Sequence, residues 1–346
     1  MSRPGKVRVA VLMGGRSSEH EISVASARSV LAELDPERYE AVTVEIGRDG
    51  SWALGAGQAP PALPAGGGPG ETLPVPAAGE PVAETLAGVD VVLPVLHGPF
   101  GEDGTVQGLL ELASVPYVGA GVAASALCMD KDLFKAVLRD RGIAVARHHA
   151  IRLGDEVANP FAYPVFVKPA RLGSSVGISK VHDASELGPA VELARRHDEK
   201  LLVEEFVEGV EVECGVLGNQ RPAPIASVVG EIVPHAEWYD YAAKYDEGGS
   251  DIIVPARIPD DVAARVQEVA VEAFVATECE GMARVDFFVR EGGEVVVNEI
   301  NTIPGFTSTS VYAKLFAASG IPYRELLDRL VELALERHER RRGLEY

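Results

Sequence analysis

Two apolar runs, Ala283–Arg290 and Glu294–Ile300, flank Gly292-Gly293, and nothing else in the chain restricts folding so tightly. A two-residue Gly-Gly loop suits a type I′ turn, which needs positive φ at both central positions. The turn predicts a β-hairpin with Glu291 opposite Glu294. Counting outward sets Asp286 opposite Glu299 and Arg284 opposite Asn301. Side chains alternate faces along a strand, so these four share one face. Val285, Phe287, Val289, Val296 and Ile300 take the other face, as core. A three-residue loop would send Glu299 to the opposite face.

Two directly opposed carboxylates, with Cβ atoms roughly 4.5–5.5 Å apart, repel each other. A hard divalent cation neutralises them, and Mg²⁺ commonly uses one or two carboxylates plus substrate phosphates. Asn301 adds a neutral oxygen, and Arg284 faces an anion. The plain alternative is a solvated surface hairpin, which the flanking apolar residues disfavour.

The remaining pattern is α/β, with an α+β part around this hairpin. Val7–Leu12 is a β-branched run ending at Gly14-Gly15. A helix is expected from Ser18, with Ser18-Glu19-His20-Glu21 as a capping box and Ile22, Ala25, Val30 and Leu34 as its apolar face. Glu40–Ile46 and Val89–Leu96 read as strands, and 55–82 as a Gly/Pro/Ala-rich loop. Strand, glycine turn, helix, strand is the grammar of a parallel α/β domain. Cys128–Arg141 reads as one helix stopped by Gly142. Tyr163–Lys168, Gly177–Val181 and Leu201–Phe206 read as strands around a helix at Ser185–His197. Strands dominate after Glu211, interrupted by an irregular stretch at 235–251. Asp260–Glu278 and Tyr323–Arg341 read as helices, the last a packing element.

Charge narrows the partners. With 52 acidic against 32 basic residues, the net charge is −20, and no basic footprint for nucleic acid or a membrane surface stands out. Three scattered cysteines without a CxxC pair suggest neither disulfides nor zinc. No apolar run reaches the ~18 residues of a spanning helix, and no signal-peptide core opens the chain. The cytoplasm is the expected location.

Other stretches carry chemistry that is weaker singly. "VFVKPARLGSSVGI" (Val165–Ile178) is a strand, then Lys168, then a glycine-serine loop able to wrap phosphates, although the same pattern makes a plain hairpin. It is not a Walker A loop. "CMDKDLFK" places Lys131 at a helix start. "LLVEEFVEGVE" ends a strand in acidic residues, suited to reading an adenine amino group and ribose hydroxyls. "MGGRSSEHEIS" sets Glu19 in a first helical turn, available for an ammonium group. "LHGPFGEDG" brings His97, Glu102 and Asp103 to the carboxyl end of a parallel strand, where ligands bind. "EWYDYAAKYDEGGSD" (Glu237–Asp251) reads as a lid.

In this order, "GGRSSEHEIS", "HGPFGEDGTVQG", "MDK", "VKPARLGSSVGI", "YDYAAKY", "RVDFFV" and "NEINTIPGFTSTS" closely resemble the D-alanine–D-alanine ligases of the ATP-grasp superfamily, over nearly the whole chain except roughly 50–85. The resemblance implies three domains: an N-terminal α/β domain (1–128), a central domain (129–213), and a C-terminal domain (214–346) carrying the metal site and the lid. ATP would lie between the last two. Lys131 and Lys168 would contact phosphates, joined by Lys244 of the lid. Glu204, Phe206, Val207 and Glu211 would line the adenine and ribose site. Asp286, Glu299 and Asn301 would hold two Mg²⁺ or Mn²⁺ ions. Glu19 would bind the first D-alanine's ammonium near His97, in a hydrogen-bonded set with Ser174 and Tyr245. Arg284 and the Gly305 backbone would face the reacting carboxylate, and Ser310 the second substrate's carboxylate. Two D-alanines and ATP are the implied ligands, with a homodimer expected. D-lactate-using relatives lack the Lys-Tyr pair or carry Phe for the Tyr, so Lys244-Tyr245 implies dipeptide formation. A depsipeptide ligase, another ATP-grasp carboxylate–amine ligase, and a non-catalytic nucleotide-binding protein are the competing readings.

Overall fold

The computed structural model describes residues 5–55, 86–235 and 249–345. Three sheets organise them. The first takes the order β3-β2-β1-β4, from β1 (Val7–Gly14), β2 (Tyr39–Ile46), β3 (Trp52–Gly55) and β4 (Val91–Pro94). β1 runs parallel to β2 and β4, as the sequence grammar requires, while β3 returns antiparallel. β1 is central and covered on both faces. Val9, Val11 and Met13 enter one core and Ala10 and Leu12 another, which is why the strand is continuously apolar.

Helix α1 (His20–Glu33) follows β1. It starts two residues later than the expected capping box, and no side chain caps it. Glu19, at the N-cap, has near-helical backbone angles, whereas a box needs an extended residue there. Glu21 instead reaches Arg48. The buried face is Ser23, Val24, Ser26, Ala27 and Val30, with Ala25 exposed. Small side chains let the helix sit close on β1, and the Ser23 hydroxyl receives the Gly14 N–H at 2.8 Å.

After α2 (Thr105–Leu112), the stretch expected as one helix is two, α3 (Val122–Met129) and α4 (Lys131–Asp140). Asp130 separates them. Its backbone is extended, and its carboxylate accepts from the N–H groups of Asp132 and Leu133, so the chain restarts with Lys131 in a first turn. The second sheet is antiparallel, β5-β8-β6-β7, from β5 (His148–Arg152), β6 (Val165–Pro169), β7 (Ser179–Val181) and β8 (Lys200–Glu205), with α5 (Ala184–Arg195) against it.

The third sheet, β11-β10-β9-β12-β13, is built from β9 (Val210–Gly218), β10 (Ile225–Pro234), β11 (Ser250–Ile253), β12 (Gly281–Val289) and β13 (Val295–Asn301). α6 (Asp260–Ala276) covers one face through Val266, Val269, Ala270 and Phe274. α7 (Val311–Ala318) and α8 (Tyr323–Arg342) complete the chain. α8 packs Leu326, Leu327, Leu330 and Val331 into the same core as β1, joining the C-terminal end to the first sheet.

The hairpin departs from expectation twice. Arg290, not Glu291, pairs with Glu294, so the loop is Glu291-Gly292-Gly293, with φ of 91° and 87° at the glycines. The register then slips by one: Phe287 faces Val297 and Phe288 faces Val296. A bulge between Asp286 and Phe287 restores it, leaving Asn298 as the extra residue. Asp286 therefore does lie opposite Glu299, and Arg284 opposite Asn301. Val296 changes faces. It packs with Phe288, Val207 and Ala146, while Val295 and Val297 occupy the core with Val285, Phe287, Val289 and Ile300.

Candidate active site

Opposite α6, the third sheet turns its other face toward the second sheet. Between them lies a cavity of about 370 Å³, of nucleotide size. Lys168, Glu204, Phe206 and Val207 line it from the second-sheet side, with Leu172–Ser175 of the glycine-serine loop. Glu211, Glu213, Asp286, Phe288, Asn298 and Glu299 line it from the third sheet, and Lys131 from α4. The bulge puts two consecutive polar residues, Asn298 and Glu299, on the cavity side.

The hairpin face is tightly paired. Arg284 donates through Nε and Nη2 to both Asp286 oxygens, each at 2.7 Å. Its Nε also lies 2.9 Å from Glu213 Oε2. Glu213 faces Asp286 directly across the β9–β12 pairing. Asn301 Nδ2 donates to Asp286 Oδ2 at 3.0 Å. Glu299 Oε2 is 3.4 Å from Lys131 Nζ, which donates to the Leu172 carbonyl at 2.8 Å. Among the described residues no three His, Cys, Asp or Glu side chains converge as a closed metal cage would need. The available donors are hard oxygens of two carboxylates and one amide. That set fits an ion completed by phosphate oxygens better than an all-protein site.

A second knot of charge surrounds Lys168 at the cavity wall. Glu204 Oε1 accepts from Lys168 Nζ at 2.5 Å, while Oε2 accepts from Lys135. Burial would raise the Glu204 carboxyl, but the two lysines reverse this and hold it below its ordinary value. Burial pushes Lys135 down to about 8, against the attraction of Glu204.

The third cluster joins the first sheet to this cavity. Ser174 donates to Glu19 Oε1, linking the glycine-serine loop to the start of α1. Ser174 and Ser175 both hold positive φ, 52° and 57°, a conformation that non-glycine residues adopt rarely and that often marks functional loops. Gly98 packs against Glu19 Oε2, with Gly173 near the same oxygen. His97 Nδ1 lies 3.0 Å from the Ile303 carbonyl and therefore carries the proton there. Burial lowers the His97 pKa, against the pull of Glu19. Glu102 accepts from the Gly98 N–H at 2.8 Å and from the Ile303 N–H at 3.0 Å, tying the His97 loop to the turn after β13. Burial, reinforced by Glu19, raises its carboxyl to about 8. Gly305 lies beyond that turn, with Ser310 Oγ beside it, accepting the Thr307 N–H at 3.0 Å.

Family models described as D-ala D-ala ligase N-terminus and C-terminus match residues 8–120 and 137–332. D-alanine–D-alanine ligase A of Mesorhizobium japonicum is 50% identical over 97% of this chain and 99% of its own length. The chain belongs to the D-alanine–D-alanine ligase family. Solved structures agree. A D-alanine–D-alanine ligase from Coxiella burnetii matches with a TM-score of 0.82 at 39% identity, covering 97% of this chain and 96% of that one. One from Bacillus anthracis, complexed with ATP, matches with a TM-score of 0.76 at 26% identity, covering 97% and 99%. The mixed sheets are those of the ATP-grasp fold shared by these ligases.

Most of the residues expected for a ligase site converge. Lys131, Lys168, Glu204, Phe206, Val207, Glu211, Asp286 and Glu299 line one cavity, and Asn301 and Arg284 adjoin it. Glu19, Ser174 and His97 gather at its first-sheet end, while Ser310 stands apart, next to Gly305. Lys244, Tyr245 and most of the 235–251 lid lie outside the described residues. Sequence reasoning missed three participants. Glu213 repeats Glu211 at the strand period, and Lys135 repeats Lys131 at the helix period, so both carried a same-face signal. Glu102 was visible only as a loop acid.

Proposed function

We infer that this chain ligates two D-alanines at the expense of ATP, the reaction for which its family is named, and that the cavity between the second and third sheets takes the nucleotide. One observation carries this reading. Lys131, Lys168, Asp286 and Glu299 share one cavity, whose far end reaches the Glu19–Ser174 link. A phosphate chain held at the first group would point toward an amino acid held at the second.

In the first step a carboxylate oxygen of D-alanine attacks the γ-phosphorus of ATP. The P–O bond to ADP breaks and an acyl phosphate forms. In the second step the amine of another D-alanine attacks the acyl carbon. The C–O bond to phosphate breaks, the amine loses a proton, and the dipeptide and inorganic phosphate leave. Phosphoryl transfer depends mainly on positioning and charge neutralisation. Lys131 and Lys168 would hold phosphate oxygens, Glu19 the first ammonium, and Ser310 the second carboxylate. Arg284 and the Gly305 N–H would donate to the oxyanion of the tetrahedral species. Asp286, Glu299 and Asn301 would hold Mg²⁺ or Mn²⁺, two ions by the family resemblance. When bound, such ions neutralise developing phosphate charge. Glu211 would serve the adenosine end, whereas Glu204, also expected there, has both oxygens on Lys168 and Lys135 and would act through Lys168. Lys244 and Tyr245 would close over the intermediate and exclude water.

Three sheets in chain order support a division near 1–128, 129–213 and 214–346. No helix among the described residues is long and apolar enough to cross a membrane. The acidic balance favours the expected cytoplasmic enzyme without nucleic-acid partners, and a homodimer is the expected assembly. The deciding measurement is phosphate release from ATP with Mg²⁺ across D- and L-amino acids and D-lactate. Release that depends on D-alanine is expected. No release at millimolar D-alanine would refute the reading, and preference for D-lactate as second substrate would favour the depsipeptide alternative.

A further inference from the structure

Lys135 is fully buried at 0% exposure, the least accessible charged side chain among the described residues. It lies one helical turn beyond Lys131 on α4, so both point the same way. Lys131 and Lys168 line the nucleotide cavity, but Lys135 does not. It sits behind, on Glu204 Oε2, while Lys168 occupies Oε1. One lysine neutralises one carboxylate. Burying a second cation is costly, by several kcal/mol in effective terms, so its presence calls for a reason.

We propose that Lys135 is a positioning residue for ATP: as the resident counter-ion of Glu204, it leaves the Lys168 ammonium free to turn from Glu204 to the nucleotide. This rests on the ATP-site reading above. Without Lys135, Glu204 keeps Lys168 as its sole cationic partner, and the Lys168 contact with ATP weakens. The groups facing Lys135 are Glu204 of β8, Lys168 of β6 and Lys131 of α4, with His148 of β5 and its Asp132 partner behind them. Burial first, then Lys168 and Lys131, favour its neutral form, and only Glu204 favours the charged one.

The test compares wild type, Lys135→Met, Lys135→Arg and Lys135→Met/Glu204→Gln by ADP binding calorimetry and by KM for ATP and for D-alanine. Lys135→Met should raise both the ADP Kd and the ATP KM by about tenfold or more, the weight of one charge-assisted contact, with the D-alanine KM little changed. Lys135→Arg should stay near wild type. The double variant should regain most of the loss, because a neutral acceptor no longer retains Lys168. It also removes the buried pair whole, so it gives an answer even where Lys135→Met alone fails to fold. In wild type the ATP KM should rise as pH passes about 8, as Lys135 loses its charge, and Lys135→Arg should move that rise to higher pH. An unchanged ADP Kd in folded Lys135→Met overturns the proposal, as does a double variant no better than the single or an equal rise in the D-alanine KM. Wild type that binds no ADP overturns the ATP-site reading itself, and the proposal with it.

Discussion

Gly98→Ala tests the Glu19 end of the site on steric grounds alone. A Cβ at Gly98 would lie 2.5 Å from Glu19 Oε2 and 3.5 Å from Ser17 Cβ, and the backbone there has φ +72°. Ordinary contact begins near 3.4 Å, so the carboxylate must retreat by about 0.9 Å. Glu19 is only 5% exposed, its N–H is fixed to Ser17 Oγ at 3.2 Å, and its other oxygen receives Ser174. The shift therefore pulls directly on the link between α1 and the glycine-serine loop. The left-handed backbone adds roughly 1–2 kcal/mol of folding strain, visible as a lower urea midpoint. A 1 Å misplacement of a positioning group costs about 100-fold in rate. Phosphate release with D-alanine varied should show kcat/KM reduced by about that factor. ADP affinity should hold, since Gly98 does not line the nucleotide cavity. In a Glu19→Gln background most of the extra loss should vanish, because the displaced charge is already gone. A kcat/KM within about threefold of wild type, or an equal loss of ADP affinity, would refute the assignment of Glu19.

Glu299→Gln should lower turnover by about 100-fold or more and raise the Mg²⁺ needed, since metal stabilisation of phosphoryl transfer is worth several kcal/mol; near-normal activity would end the metal assignment. Glu213→Gln removes one carboxylate partner of Arg284 and should reduce kcat by about tenfold, as expected for one charged anchor, with the ATP KM unchanged; a matching rise in ATP KM would contradict that placement. Glu102 titrates near 8 in the fold, above roughly 4.3 in the unfolded chain. The folded state thus keeps a proton the unfolded chain has lost, so this stability is complete below about pH 4 and drains away as pH rises through 8. Urea midpoints should fall between about pH 5 and pH 9 and fall less in Glu102→Gln, and parallel curves would exclude Glu102 as the source. Tyr245→Phe should shift second-substrate choice toward D-lactate, and an unchanged D-lactate to D-alanine ratio would remove the selectivity role of the Lys-Tyr pair.

The hairpin shows how much of the site was legible. Asp286 opposite Glu299 follows from a two-residue Gly-Gly turn, yet the chain reaches that pairing by a three-residue turn and a compensating bulge at Asn298. The slip is hidden because Val295-Val296-Val297 is apolar on either face, so period-two patterning cannot register it. The polar positions could not tolerate the same slip, and they kept their pairing. What went astray was apolar: Val296 left the core for the cavity side with Phe288. The helix break at Asp130 was hidden differently. Asp is a favoured N-cap residue, but apolar residues before and after Asp130 continue a helical period across the gap.

Most partners of these cations were not legible, because Glu213, Glu204 and Glu299 come from other elements than the cations they hold. A site for a triphosphate suggests bare lysines and arginines, but here each cation already has an acid. Arg284 lies between Asp286 and Glu213, Lys168 on Glu204, and Lys131 against Glu299. Unpaired cations in a site this enclosed would each carry a desolvation penalty of several kcal/mol, so an empty pocket of bare cations would not stay folded in this geometry. Acid partners remove the penalty and hold the cations in place. They also make binding an exchange: a phosphate or carboxylate must displace a protein carboxylate to claim its cation. Such an exchange is near-neutral only where the displaced acid keeps another partner. Lys135 supplies that for Glu204, and a divalent ion held by the proposed set of Asp286, Glu299 and Asn301 would supply it for Asp286. The acids in this phosphate site are therefore what allow its cations to be buried beforehand and still be available.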